Sequence, residues 1–234
     1  MNFKHNATKF YLLANKPVIF TGEEEIQFEL KLPTVESLYS NDDLSFCINF
    51  FQQDLEEIQK MINTPIKSYY SFVHLICSLR TTNPTFETLS SSILEGLSSM
   101  IDGIIFDKVL KIKNIIVNEK LFNEIIRVIL LSIDKEKIII NDDDDEFTKK
   151  EKQAKLRVAK IRRNAQNKEG TSFEDLFAAI LYEFPQYKIE DLMQMNLYTI
   201  YYLFKYVGKI ANYEVSKIAA GNGLAKKHKY FIEK

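Results

Sequence analysis

The residues able to do chemistry in this chain are few and scattered. Three histidines occur, His5, His74 and His228. None stands at helical spacing from a second metal-type ligand, as a zinc site on one helix would require. His5 and His228 fall near the ends of the sequence, and His74 falls inside a predicted helix as a core or boundary residue. Cys47 and Cys77 are the two cysteines. Neither belongs to a C-x-x-C pair, so they read as reduced thiols in helix cores. Carboxylates are plentiful, yet no pair stands in an apolar setting that would set one pKa against the other. The phosphate-loop, dinucleotide, nucleophile-elbow and zinc-protease signatures are all missing from the sequence. The chain therefore reads as non-enzymatic, with no catalytic residue, metal ligand or cofactor assigned.

Charge is the next candidate. Asn141–Glu146 reads NDDDDE, a block of like charges that repels itself and stays solvated. A calcium loop starting at Asp142 requires glycine where Phe147 stands and glutamate where Gln153 stands, so it is not an EF-hand. The run 149–168 that follows is basic, with Lys149, Lys150, Lys152, Lys155, Arg157, Lys160, Arg162 and Arg163 as its candidate patch. Leu156, Val158, Ala159 and Ile161 are too few to bury a helix. It reads as a solvated connecting helix balancing the acidic run, or as a patch for nucleic acid or another anionic partner. No aromatic side chains interleave with the Lys and Arg residues to stack on bases, which disfavours nucleic acid.

Aromatic residues gather instead between Ser172 and Gly221, the stretch around which the chain is organised. Ser172 is a candidate N-cap, with Glu174 and Asp175 at the positive end of the helix dipole. Phe173, Leu176, Phe177, Ile180, Leu181 and Phe184 recur at helical spacing, and Pro185 stops that helix. Ile189–Leu192 reads as a short turn of helix and Asn196 as a second cap. A longer stripe follows through Leu197, Ile200, Tyr201, Phe204, Val207, Ala211, Val215 and Ile218. Tyr198, Tyr202, Tyr206 and Tyr213 sit outside it or on its edge. Tyrosine packs its ring while its hydroxyl stays wet, and it is enriched at interfaces. These tyrosines read either as packing against the rest of their own domain or as a partner surface, and on the second reading Tyr198, Tyr201, Tyr202, Phe204, Tyr206 and Tyr213 are the candidate protein-binding residues. Gly208, in mid-helix, is placed to permit a close helix crossing, and Gly221 and Gly223 suit a C-terminal cap.

The elements that precede this stretch follow from periodicity. Phe10–Ala14 reads as a short helix or strand. Val18–Phe20 and the alternating Ile26–Leu32 read as a β-hairpin around Gly22, ended by Pro33. Thr34 caps the next helix, but Ser37 replaces the glutamate of a full capping box. Helices are predicted over Leu44–Ile62, with Phe46 inside, over Pro65–Leu79, with Pro65 in the first turn, and over Phe86–Met100, after a break at Pro84. Phe106–Ile112 and Ile115–Val117 read as a second hairpin about Lys113-Asn114. Asn118 caps a helix carrying Leu121, Phe122, Ile125, Val128, Ile129 and Ile133, and Lys137–Ile140 ends that part as a strand or helix end.

The predicted fold class is mainly α with a small β component. Residues 1–140 form a mixed helical domain with one or two β-hairpins, 141–148 an acidic linker, and 149–234 a basic helix plus a C-terminal helical pair. The net charge of −1 supplies no field toward nucleic acid or membrane. No apolar run reaches the length of a bilayer span, and the first residues lack a signal-peptide layout. An intracellular protein is the expectation.

In order and style the chain resembles a family of tailed-bacteriophage tail and baseplate assembly proteins, including the tail-assembly-chaperone type. The resemblance rests on a hairpin running into Leu32-Pro33-Thr34-Val35, on the basic helix, and on the final phrase. That phrase starts at Met195-Asn196-Leu197-Tyr198-Thr199-Ile200 and passes through Tyr213 to Ala220-Gly221. Asn196 stands where the family carries Thr, and Thr199-Ile200 where it carries Gln-Phe. The resemblance implies a non-enzymatic, chaperone-like morphogenesis protein in the host cytoplasm. Its partners would be other tail proteins, such as the tape-measure protein or a baseplate-hub subunit. A structural subunit of the virion tail or baseplate, in a homo- or hetero-oligomer, is the alternative. A nucleic-acid-binding protein using the basic helix is the reading from another class.

Overall fold

A computed structural model describes residues 4–5, 9–22, 26–133, 145–148, 150 and 173–221. The chain divides into two compact units, Met1–Lys137 with Met193–Tyr198, and Ile138–Leu192 with Thr199–Lys234. It is mainly α, with a small β component that, among the described residues, is made of two three-stranded antiparallel sheets.

In the first unit, strand β1 (Lys4–His5) pairs with β2 (Val18–Thr21), which pairs with β3 (Gln27–Leu30). The β2–β3 hairpin is the expected one, and its register sets Phe20 opposite Phe28 with rings stacked at 4.9 Å. Helix α1 (Lys9–Leu13) separates β1 from β2. Thr34 caps α2 (Val35–Ser40), and here the sequence reading is corrected: the capping box is complete. The Thr34 hydroxyl accepts the Ser37 N–H at 3.1 Å, and the Ser37 hydroxyl accepts the Thr34 N–H at 2.8 Å. Serine does what the longer glutamate usually does.

The single helix expected over Leu44–Ile62 is two. Helix α3 (Asp42–Gln52) ends where Gln53 and Asp54 turn extended, and α4 (Leu55–Ile62) restarts. The Glu57 carboxylate accepts the Asp54 N–H at 3.2 Å, and the Tyr69 hydroxyl donates to the Gln53 carbonyl at 2.5 Å. The break thus lets both pieces bury apolar faces while its backbone stays satisfied. Phe46, expected inside, is exposed on α3, as is Leu79 at the end of α5 (Tyr69–Leu79). Helix α5 begins four residues after Pro65, because Ser68 and Ser71 form a second hydroxyl–hydroxyl box. Pro84 does not break the chain. It opens α6 (Pro84–Met100) at the first position, where its missing N–H costs nothing.

The run Phe106–Ile112 is likewise two strands. Lys108 turns the chain at φ 58°, so β4 (Ile104–Asp107), β5 (Val109–Ile112) and β6 (Ile115–Ile116) form a meander. Asn118 then caps α7 (Glu119–Ser132), as expected, accepting the Leu121 N–H at 2.9 Å.

The core of this unit lies among α3, α5, α6 and α7. Phe50 stacks on Phe72 at 4.8 Å, and Phe51 meets Tyr69 and Phe122 edge-on at 5.7 and 5.9 Å. Helices α3 and α6 touch at Gly96. A Cβ there would clash with that of Cys47 and lie 2.5 Å from the Asp43 carbonyl oxygen. Both cysteines are buried and free. Burial pushes the Cys77 thiol up to about 11 and the Cys47 thiol higher still, so neither is an activated nucleophile.

Most of the second unit's described residues belong to α8 (Phe173–Glu183), α9 (Ile189–Met193) and α10 (Leu197–Gly221). Chain breaks fall where expected, at Pro185 and near Asn196. Met193 and the first two residues of α10 belong to the first unit.

Candidate protein-binding surface on the long C-terminal-half helix

At 1.5 Å per residue α10 is about 37 Å long. Three- and four-residue steps set Ile200, Phe204, Val207, Ala211, Val215 and Ile218 in one row. Steps of four and seven set Tyr198, Tyr202, Tyr206 and Tyr213 in another, on the opposite side.

Burial changes along the helix. Ile200 is fully buried, while Tyr201, Tyr202, Phe204, Tyr206 and Val207 are half-buried. Beyond Gly208 the apolar row opens. Ala211 is exposed, Val215 is 66% exposed and Ile218 61%. Tyr213 is half-buried on the other side. The Tyr202 and Tyr206 rings pair at 5.1 Å, tilted by 45°, and the Lys209 ammonium lies 5.2 Å from the Tyr206 ring centre. That arrangement joins an aromatic contact to a cation–π contact along one side of the helix.

Three expectations about this helix are corrected. Tyr198 is 8% exposed and belongs to the core of the first unit, so the protein itself holds it. Gly208 supports no close crossing, since a Cβ there would meet nothing within 4 Å. Gly221 lies within the helix rather than beyond it, and Gly223 lies outside the described residues, as do Ser172, the run 137–140 and His228. Of the basic patch, Lys150 is an exposed helical residue. Lys149, Lys152, Lys155, Arg157, Lys160, Arg162 and Arg163 lie outside the described residues, as do residues 141–144 of the acidic run.

The root of α10 is held by a contact that local reading could not find. Asn196, expected as a simple cap, is fully buried. Its side-chain amide donates to the Leu12 carbonyl at 2.7 Å and to Oδ1 of Asn15 at 2.9 Å. That same oxygen accepts the Asn196 backbone N–H at 3.2 Å, and the Asn15 amide donates to the Gln194 carbonyl at 2.7 Å. Asn15 sits at φ 53°, a conformation asparagine tolerates better than most residues. The Val35 N–H donates to the Met195 carbonyl at 3.0 Å, and the Gln194 amide reaches the Glu36 carboxylate.

A second cluster joins β1 to α7, so its residues do not stand at helical spacing from one another. His5 Nε2 lies 3.3 Å from the Glu124 carboxylate and 3.0 Å from the Arg127 guanidinium, which also binds Glu124. The His5 hydrogen bond, and after it Arg127, hold the Glu124 carboxyl down at about 2 against the opposing effect of burial. One imidazole and one carboxylate make no metal centre, and no group of three or more such ligands occurs among the described residues. The cluster ties the edge strand to the helix. The nearest signal in the sequence was His5 itself, placed two residues after Phe3 at the start of the chain.

No helix among the described residues is long and apolar enough to cross a membrane. In comparison with known proteins, no family model, curated protein or solved structure matches the chain.

Proposed function

We propose that this protein is a non-enzymatic binding protein that engages a partner protein through α10, and that its setting is the assembly of a bacteriophage tail or baseplate. The observation that carries the binding reading is the exposed end of the apolar row, Ala211, Val215 and Ile218. Laid in a partner's groove, such a row anchors at i, i+4 and i+7, the pattern of helix-in-groove recognition. The Tyr202–Tyr206 pair with Lys209 adds rigid aromatic area on the far side. The phage setting rests on the sequence resemblance around Leu32–Val35 and Met195–Gly221. It gives the partner's class as another tail protein, such as a tape-measure or baseplate-hub subunit.

The test replaces Val215 and Ile218 together by lysine in the full chain and follows its cross-links to tail proteins in infected cells. Both side chains are exposed, so each change is expected to alter stability by less than about 0.5 kcal/mol. Loss of the cross-links in a folded variant supports α10 as the binding element. Unchanged cross-links refute that, and tails that form normally when the gene is disrupted refute the phage setting.

A further inference from the structure

The segment Met193–Tyr198 is separated in sequence from everything it touches in the first unit. Its hydrogen-bond partners lie 158 to 184 residues away, at Leu12, Asn15, Val35 and Glu36. Several of the contacts are polar, and the fate of those groups on release bears on how the segment can open. Asn15, Glu36 and Gln194 are already exposed. The Val35 N–H belongs to the first turn of α2, where such groups have no helical partner and bind water readily. The Leu12 carbonyl keeps the Asn15 N–H at 3.1 Å when the Asn196 amide leaves it. Asn196, the one fully buried polar residue of the segment, leaves for water with its own chain. Each of these hydrogen bonds can therefore pass to water or to a remaining partner on release, where a buried and unpaired group would otherwise hold such a network shut. The apolar loss is centred on Tyr198, with Leu197 beside it, and the stacked rings of Phe50, Phe72, Phe51 and Phe122 meet one another without either.

We infer that Met193–Tyr198 is a strap, with the Asn15–Asn196 pair as its catch, that opens from the first unit as a cooperative element while the helical core stays folded. The inference is independent of any partner for α10. Opening frees the Val35 N–H and the Asn196 N–H together, because both are bonded across the strap. Those two amides are its reporters. The amides of Ile125 and Ile129, in the buried middle of α7, report the core.

The experiment is amide hydrogen exchange on the full wild-type chain, in a series of low denaturant concentrations, repeated on Asn196→Ala. In the wild type, Val35 and Asn196 are expected to exchange well before Ile125 and Ile129, through an opening far less sensitive to denaturant than theirs, since it exposes far less surface. In Asn196→Ala the Val35 amide is expected to exchange about tenfold faster or more, since the amide's two hydrogen bonds are gone. Ile125 and Ile129 should change far less. Asn15→Ala should give the same local pattern from the other side of the catch. If Val35 and Asn196 exchange only together with Ile125 and Ile129 in the wild type, the strap opens only by global unfolding and the inference is overturned. That measurement decides the matter even if Asn196→Ala does not fold. Acceleration of all four amides alike in the variant overturns it as well.

Discussion

Gly96 and Gly208 both stand in the interior of a helix, yet only one is held there by packing. Gly96 lies where α3 and α6 cross, and its missing side chain is the space that Cys47 and the Asp43 backbone occupy. Gly208 faces open space. In the sequence the two look alike, and the close crossing was expected at Gly208. The contrast teaches that a helical glycine carries no meaning until its neighbour is known. It also separates two kinds of surface: a helix pair packed to atomic contact, and a helix whose apolar row runs out past the last buried residue.

Substitution to alanine tests this directly. Gly96→Ala is expected to destabilise the fold by about 2–3 kcal/mol, because the new methyl group meets backbone on one side and a buried side chain on the other. Chemical denaturation would read this as a lowered midpoint. Gly208→Ala is expected to do the reverse. With nothing to clash with, alanine's better helix propensity stabilises α10 by up to about 1 kcal/mol. If both variants shift stability in the same direction, the distinction between the two sites is wrong.

A smaller effect contrasts β1 with the helical core. Glu124 has its carboxyl held at about 2, below its ordinary 4.5. The stability it contributes is thus fully present above about pH 4.5 and is lost as pH falls toward 2. The group is partly exposed, so solvent and salt weaken the effect. Glu124→Gln should narrow the gap to wild type as acid is added between pH 5 and 2, measured by denaturation at low salt. A constant gap over that range would show that the carboxylate's charge contributes nothing.

Local chemistry was legible in the sequence. The β2–β3 hairpin, the Asn118 cap and the short α9 all follow from spacing and capping preferences that act over a few residues. The Leu44–Ile62 run was misread because its apolar spacing continues through Gln53 and Asp54, and periodicity alone does not register a change in backbone direction. The incomplete box at Thr34 was misread because serine at the third position forms the same reciprocal bonds with a shorter reach. The tyrosine row was visible as a pattern, but its burial was not. Tyr198 goes into the core because Asn196 anchors the chain two residues earlier, through partners at Leu12 and Asn15. His5 meets Glu124 and Arg127 for the same long-range reason. Neither meeting leaves a trace in local spacing.

The two buried thiols also have a use outside the fold. With Cys77 held near 11 and Cys47 higher, almost no thiolate exists at neutral pH, and alkylating reagents have little to attack in the native protein. A cysteine introduced at an exposed position of α10 could therefore carry a fluorophore or spin label without a cysteine-free background. The native pair would meanwhile serve as a slow clock. Because Cys47 is pressed against Gly96, its labelling would count the moments at which α3 and α6 part.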